Sequence, residues 1–243
     1  MLADDVRGML YIALKDLRAY YLKPPNISWG ILFPFAFVLA FAIRSPGNLR
    51  DLVPGLLSLT LLFGTSSMEA TVIVFERRTG SLERLLLAPI RLPALLAGKL
   101  LGGMAFGLTV TAVVLAVTLV LFGAAGVQWP SLLLALLLGA AAFGALGAFV
   151  SVAVREIFEA QTLANLIRFP MMFLGGVFVP VTALPPVLQV MARLLPLTYL
   201  VEALQGALAG RPFSESSPDL LALAACTALL FALATLILRR RVE

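Results

Sequence analysis

Three ionisable side chains lie deep within apolar stretches of the sequence, and theirs is the first chemistry that a function could use. They are Glu69, Lys99 and Arg168. A charged group in lipid is costly, usually faces the interior of a helix bundle and is by default a functional candidate. One acid and two bases could pair there, with Glu69 bound to Lys99 or Arg168, and either close one end of a path through the bundle or hold the bundle together at that end. Alternatively, both bases could extend to the nearby membrane interface, and the sequence leaves both hypotheses open.

Covalent chemistry has little to use in this sequence. It contains no histidine, which is the commonest metal ligand and proton shuttle, and a single cysteine, Cys226, within an apolar run. A phosphate loop of the form G-x-x-x-x-G-K-S/T is missing, because Gly98 and Lys99 are followed by leucine and lack the upstream glycine. We therefore predict no catalytic residue, no cofactor and no metal on this chain.

The elements that position these charges are membrane helices. Of the 243 residues, 61% are hydrophobic and only 13% are charged, and apolar runs of about 18 residues or more recur. We predict an all-α polytopic membrane protein, a single transmembrane domain over 1–243 with six transmembrane helices. The predicted spans are 27–43, 53–74, 98–122, 131–153, 163–180 and 219–238.

Two further segments are apolar without being spans. Residues 3–21 place apolar side chains on one helical face, which predicts an amphipathic helix in the membrane interface, with a cytosolic helix packed on a partner as the alternative. Residues 180–211 are broken by four prolines, and the unbroken pieces are too short to cross a bilayer. We expect short re-entrant or outer helices there, between spans five and six.

Basic residues predict the orientation. The net charge of +5 is distributed in short clusters between apolar runs, which indicates membrane topology and not nucleic-acid binding. Thirteen Lys and Arg residues fall on the side that holds both termini and residues 75–99, against four on the other side. Both termini and the 75–99 region are therefore predicted to be cytosolic.

The segment FERRTGSLERLLLAPI, residues 75–90, interrupts the apolar sequence between the second and third spans. Thr79 or Ser81 can cap a helix start, and Pro89 ends the helix after about two turns. A helix of that length is unstable alone in water. It must therefore pack on its own bundle, on lipid headgroups or in a groove of another protein, and periodicity alone does not choose between these.

Two separated stretches resemble one family. ERRTGSLERLLLAPI, followed by LPALLAGKLLG, resembles the E-R-E/R-x-G-T-L-E-x-L-L-x-T/S-P-I/V pattern of type-2 ATP-binding-cassette (ABC) exporter permeases, with Ser81 for the usual threonine and Ala88 before the proline. LANLIRFPMMFLGGVFVPVTALPPVLQVMARLLPLTYLVEALQGAL resembles the family's C-terminal signature, a fifth span, a proline-rich outer segment and P-L-T-Y-x-x-E. The family's six spans, interfacial helix and cytosolic termini cover the whole chain.

The resemblance implies a transmembrane permease subunit in the cell (inner, cytoplasmic) membrane that exports an amphipathic or lipid-like substrate. The subunit is not itself an enzyme, since ATP and Mg would be bound by a separate ABC ATPase subunit, and a second permease chain, identical or related, would complete the transporter. Residues 76–88 would be the cytosolic coupling helix, and REIFEAQ (155–161) a secondary contact.

The resemblance also implies roles for particular residues. Leucines would fill an apolar cleft of the ATPase and charged residues would contact its rim; the implied coupling residues are Glu76, Arg77, Arg78, Gly80, Ser81, Leu82, Glu83, Arg84, Leu85 and Leu86. An outer gate would comprise Pro180, Pro185, Pro186, Pro196, Tyr199 and Glu202, in which Glu202 braces the proline-rich segment. The alternative functions are an ion-driven secondary transporter or channel with no ATPase partner, and an integral membrane enzyme.

Overall fold

The structure, a computed structural model, describes residues 2–22, 49–87, 90–123 and 125–242, together with positions 32, 36 and 39. Over these residues the regular structure is helical and contains no β-strand. The predicted first span, 27–43, lies outside the described residues apart from the three isolated positions. The helices in chain order are α1 (Leu2–Asp16), α2 (Val53–Arg78), α3 (Ser81–Leu86), α4 (Leu92–Phe122), α5 (Trp129–Ala153), α6 (Ile157–Leu174), α7 (Pro186–Ala192), α8 (Pro196–Leu208) and α9 (Phe213–Val242).

Four of the described helices are long and apolar enough to cross a membrane. They are Val53–Arg78, Leu92–Phe122, Trp129–Ala153 and Phe213–Arg240, and they contain the predicted spans 53–74, 98–122, 131–153 and 219–238. Helix α4 begins six residues before the predicted span because Pro93 lies in its first turn, where a missing N–H is tolerated. The multi-pass membrane class is thereby supported, whereas the count of six spans stays a prediction.

The predicted fifth span differs from the helix that forms. Helix α6 covers Ile157–Leu174 instead of 163–180, and it is not among the four long apolar helices. It begins early because Glu156 and Glu159 form a capping box at its start. It ends at Gly175, and the following Gly176 has φ +79°, a left-handed conformation that favours glycine.

The proline-rich segment forms separate short helices, as predicted. Pro186 and Pro196 each occupy the first turn of a helix, α7 and α8 respectively. The two helices meet at 88°, so that together they make either one bent span or a re-entrant loop. Their depth in a membrane stays a prediction.

Helix α5 lies at the centre of the bundle and packs against α2, α4, α8 and α9. Its small residues permit this close approach. A Cβ at Gly139 would lie 2.8 Å from Leu200 of α8, and one at Gly147 would lie 2.8 Å from the Ser66 carbonyl oxygen of α2. Small residues at such contacts are typical of membrane helix packing.

The two ends of the bundle are defined by different elements. At one end, α1, α3, the start of α4 and the last turns of α9 share an apolar cluster that includes Ile12, Leu82, Leu95 and Leu238. We call this the α3 end. At the opposite end, which we call the α8 end, α9 begins and the Gln128 N–H donates to the Ala207 carbonyl of α8 at 2.9 Å.

Candidate functional site

Helix α1 turns acidic residues, and not its whole apolar face, towards the bundle. Asp5 and Asp16 are buried, whereas Val6, Leu10 and Leu14 are exposed. The backbone of α1 comes close to α4 at Gly98, where a Cβ would lie 2.9 Å from the Met9 carbonyl oxygen. The predicted helix is confirmed, and beyond Asp16 it continues as a π-helical turn, Leu17–Tyr21. Its exposed apolar face suits the predicted place in the membrane interface.

Four charged side chains from α1, α2 and α4 meet at the α3 end. Lys99 Nζ donates to Asp16 Oδ2 at 3.2 Å and to Glu76 Oε2. Lys15 Nζ donates to Glu76 Oε1 at 2.5 Å and lies 2.9 Å from Asp16 Oδ1. We call Lys15, Asp16, Glu76 and Lys99 the charge network. Its formal charge is zero, and three of its members are fully buried while Lys15 is 39% exposed.

The α1 members of the charge network titrate abnormally. Burial raises the pKa of Asp16 above its ordinary value, against the attraction of Lys99. Burial alone would lower the pKa of Lys15, but its hydrogen bonds to Glu76 and Asp16 raise it. The ammonium of Lys15 is thus stabilised in its charged form by the two carboxylates that it contacts.

Glu69 occupies a separate site next to the charge network. Its Oε1 accepts a hydrogen bond of 2.9 Å from the hydroxyl of Tyr21, which is fully buried and stacks on Phe106. Burial and the Glu69 carboxyl raise the pKa of the Tyr21 hydroxyl well above its usual range. Gly103 leaves room for this carboxyl, since a Cβ there would lie 2.7 Å from Glu69 Oε1. The interaction fastens the end of the π-helical turn to α2.

Arg168 lies on the other side of α2. Its Nη1 donates to Ser67 Oγ at 2.8 Å and to Asn165 Oδ1 at 3.3 Å, and its guanidinium lies 5.6 Å from the ring centroid of Phe63. Among the described residues, its Nε and Nη2 have no hydrogen-bond partner and no carboxylate lies within ion-pair distance. It is a buried cation with neutral neighbours.

The predicted pairing of Glu69 with Lys99 or Arg168 is wrong in this structure. Ser67 and Glu69 are two residues apart on α2, so their side chains project about 200° apart around the helix and face different neighbours. Lys99 pairs instead with Asp16 and Glu76, and neither base reaches the surface of the chain.

Lys15, Asp16 and Tyr21 also contribute to these sites, and the sequence did not predict that. A signal was present, because Asp5 and Asp16 are 11 residues apart, about three helical turns, and so lie on the same face of α1.

Helix α3 is short and half embedded in its own chain. It begins after Gly80, whose φ of +68° is a left-handed conformation that favours glycine, and neither Thr79 nor Ser81 caps it. Glu83 and Arg84 are exposed, and Leu87 just beyond the helix is 87% exposed. This exposed side of α3 is the part that another protein can contact.

The apolar face of α3 packs against its own chain, whereas it was expected to face a partner protein. Leu82 is buried in the cluster with Ile12 and Leu95, and Leu85 packs partly against it. A six-residue helix needs such an anchor, because it is unstable alone. Leu82 is therefore not on the surface that was expected to fill a partner's cleft, and the side chain of Leu86 lies outside what the structure describes.

The predicted secondary contact segment lies against the end of α2. Arg78 forms an ion pair with Glu156, and Arg77 Nη2 donates to the Val154 carbonyl at 2.6 Å. Two residues further along, Phe158 is 85% exposed. The end of α2 is thus joined to the short segment between α5 and α6.

The predicted outer-gate residues lie at or near α7 and α8. Pro180 precedes a 3₁₀ turn, Val181–Ala183, and Pro185 precedes α7. The Tyr199 hydroxyl donates to the Arg193 carbonyl at 2.6 Å, which ties α8 back to the end of α7. Glu202 does not provide the expected brace, since it makes no hydrogen bond or ion pair among the described residues; it lines a cavity with Arg211 and Asp219.

These features define a polytopic helical membrane protein with a charged helix at one end of its bundle. Residues 10–209 match the family model of the ABC-2 type transporter. The chain belongs to the ABC-2 type transporter family, which confirms the resemblance.

The curated relatives match over part of their length. The protein named "Inner membrane transport permease YadH" from Escherichia coli (strain K12), and that of the same name from Shigella flexneri, are each 28% identical to this chain over 153 residues. The match covers 63% of this chain and 60% of each relative. The chain thus matches somewhat less than two thirds of the relatives' length.

Proposed function

We propose that this chain is the permease subunit of an ABC exporter, driven by ATP that a separate nucleotide-binding subunit hydrolyses. Family membership and the relatives' description as inner membrane transport permeases support a role in transport across the cytoplasmic membrane. The observation that carries the proposal is α3, a helix exposed at one end of the bundle and joined through α2 to a buried charge network.

The docking face proposed for the nucleotide-binding subunit is the exposed side of α3. Leu87 would supply its apolar contact, and Glu83 and Arg84 its polar rim. Phe158, in the first turn of α6 and next to the Arg78–Glu156 ion pair, would supply a second apolar contact. Exposed large apolar groups ringed by charge are typical of protein interfaces.

The charge network suits the transmission of movement from α3. Glu76 lies in the last turns of α2, five residues before α3 begins, and binds Lys99 of α4 and Lys15 of α1. Removing one partner of a buried ion pair is strongly unfavourable, so the three helices are expected to move together. A displacement of α3 by an ATPase would thereby reach both α4 and the interfacial helix.

The remaining elements of the proposal are the assembly and the cargo. ATP and Mg would be bound by the partner, and a second permease chain, identical or related, would complete the path. The excess of basic residues on one side supports cytosolic termini and a cytosolic α3. The apolar bundle favours an amphipathic or lipid-like cargo that is moved outward.

A pair of matched substitutions tests the docking face. Leu87→Asp places a charge on the exposed side of α3, and Leu194→Asp does the same at a leucine that is 76% exposed near the α8 end. In the native host, we expect affinity-tagged wild type and Leu194→Asp to co-purify with an ABC ATPase and Leu87→Asp to lose it. Phe158→Asp is expected to weaken the same association.

Two results would contradict the proposal. One is equal ATPase recovery with Leu87→Asp and Leu194→Asp, at equal membrane levels of the two chains. The other is ion-gradient-driven uptake by the purified chain in liposomes without ATP, which would favour a secondary transporter.

A further inference from the structure

A cavity of about 270 Å³ opens at the α8 end, far from the charge network. It lies between α8, the first turns of α9 and the 3₁₀ turn Val181–Ala183. Pro180, Val181 and Val201 supply the apolar part of the wall, and the rest of the wall is mostly polar. The cavity is therefore large enough for one small polar group with apolar substituents.

The polar wall carries an excess of negative charge. Glu202 of α8 and Glu215 and Asp219 of α9 line the cavity, and Arg211 is the lining cation. The formal charge of this lining is −2 in a chain whose net charge is +5. Glu215 and Asp219 are four residues apart and so lie on one face of α9.

The three carboxylates make no direct contact with a cation of the described chain, although Arg193 lies near enough to Asp219 to attract its charge. None of them forms an ion pair or a side-chain hydrogen bond with another described residue. Arg211 lines the same cavity without coming within ion-pair distance of any of the three. Glu202 and Asp219 are partly buried and Glu215 is exposed. Like charges brought together in this way repel one another unless a cation lies between them.

A buried hydroxyl in the same wall also lacks a partner. Ser216 lines the cavity, is only 2% exposed and makes no side-chain hydrogen bond with any described residue. Its Oγ lies against the facing wall, 3.0 Å from where a Cβ at Gly206 would be. A hydroxyl that lines a cavity and has no partner in the described chain is available to a ligand there.

The geometry favours an ammonium group over a metal ion. Among the described residues, no three Asp, Glu, Cys or His side chains are close enough together to hold a metal. An ammonium group does not need several ligands at bonding distance, because carboxylates at hydrogen-bond distance or slightly beyond compensate its charge. The apolar wall suits the methylene or methyl groups that an amine carries.

We propose that this cavity binds the ammonium group of a small amine or of a lipid headgroup, between Glu202, Asp219 and Glu215 and next to the Ser216 hydroxyl. Arg211 opposes this binding by its charge. The site is independent of the docking face on α3, because it lies at the other end of the bundle and needs no ATPase.

The test is equilibrium binding of two labelled probes, choline and ethanolamine, to the purified chain in nanodiscs without ATP. We expect saturable binding of at least one probe by wild type. Glu202→Gln combined with Asp219→Asn should weaken it by roughly tenfold or more, since each change removes one screened charge interaction. Arg211→Gln should tighten it several-fold, a gain that misfolding cannot produce.

Asp51→Asn is the matched control. Asp51 is also at the α8 end but lines a neighbouring cavity. Removing its charge therefore tests whether any negative charge at this end attracts the cationic probes. We expect binding within about twofold of wild type, because Asp51 is exposed and does not line the acidic cavity, so that solvent largely screens its charge. Comparing nanodiscs that contain phosphatidylethanolamine with nanodiscs that contain phosphatidylglycerol separates the two ligand sources. If phosphatidylethanolamine competes with the probe, the site is assigned to a lipid headgroup. If it does not compete, the site is assigned to a soluble amine.

Three outcomes would overturn the inference. They are the absence of saturable binding for both probes, unchanged binding by the Glu202→Gln, Asp219→Asn variant, and binding of Ca²⁺ that is tighter than that of either probe. Because the measurement uses the permease alone, a failure here leaves the proposed ATPase docking intact, and the converse also holds.

Discussion

Removing the charge of Lys99 should destabilise the bundle strongly. Lys99→Met keeps an unbranched side chain of similar length but leaves Asp16 and Glu76 buried with only Lys15 for a counterion. Breaking a buried ion pair by removing one partner typically costs about 3–5 kcal/mol. For a chain of this length that corresponds to a fall in Tm of roughly 6–20 °C.

The matched control is the other lysine of the charge network. Lys15 binds the same carboxylates, but it is 39% exposed. Its charge therefore keeps part of its hydration, and Lys15→Met should cost only about 1 kcal/mol or less. Thermal unfolding of both variants in the same detergent, followed by loss of the monodisperse peak, measures the difference.

A double variant tests whether the effect comes from the pair. Glu76→Gln removes one of the two carboxylates that Lys99→Met leaves uncompensated. Combining them should therefore cost less than the sum of the two single effects, by about 1–3 kcal/mol. Strict additivity, or equal Tm values for Lys99→Met and Lys15→Met, would refute the account of the charge network given above.

Two further predictions concern the helix packing around α2. Arg168→Met should leave Tm within a few degrees of wild type or raise it, in contrast to Lys99→Met, because the guanidinium is buried without a counterion among the described residues; a loss as large as that of Lys99→Met would show that an anion compensates it. Gly107→Ala should lower Tm by an amount equivalent to about 1–3 kcal/mol, because the added Cβ would overlap Thr65 Oγ1. An equal effect of Ala112→Val, on the exposed side of the same helix, would contradict that explanation.

The positions of the helices were predicted better from the sequence than the contacts between them. Four of the predicted spans lie within observed helices, because length and hydropathy are properties of a segment by itself. The fifth was misplaced because capping at Glu156 and the glycines after Leu174 outweigh the apolar pattern.

The segments that carry the candidate sites were predicted from the sequence, but the contacts that their side chains make were not. The three intramembrane charges are buried as expected, yet their partners come from elsewhere: Lys99 binds Asp16, which is 83 residues away. Leu82 was assigned to a partner's cleft because spacing identifies an apolar face without saying what covers it. The acidic cavity is lined by residues of both α8 and α9, and composition does not show that these residues come together.

The sequence by itself determined that this is a helical membrane protein, where its long apolar helices lie, which short charged segment interrupts them and which family it resembles. Those properties follow from local composition, because a segment in lipid must satisfy its own backbone. Only the tertiary structure decided that Glu69 bonds Tyr21 while Lys99 bonds Glu76, which side of α3 is exposed, and that three carboxylates share one cavity. These depend on how each helix is rotated about its axis, and that rotation is set by packing against residues far away in the chain.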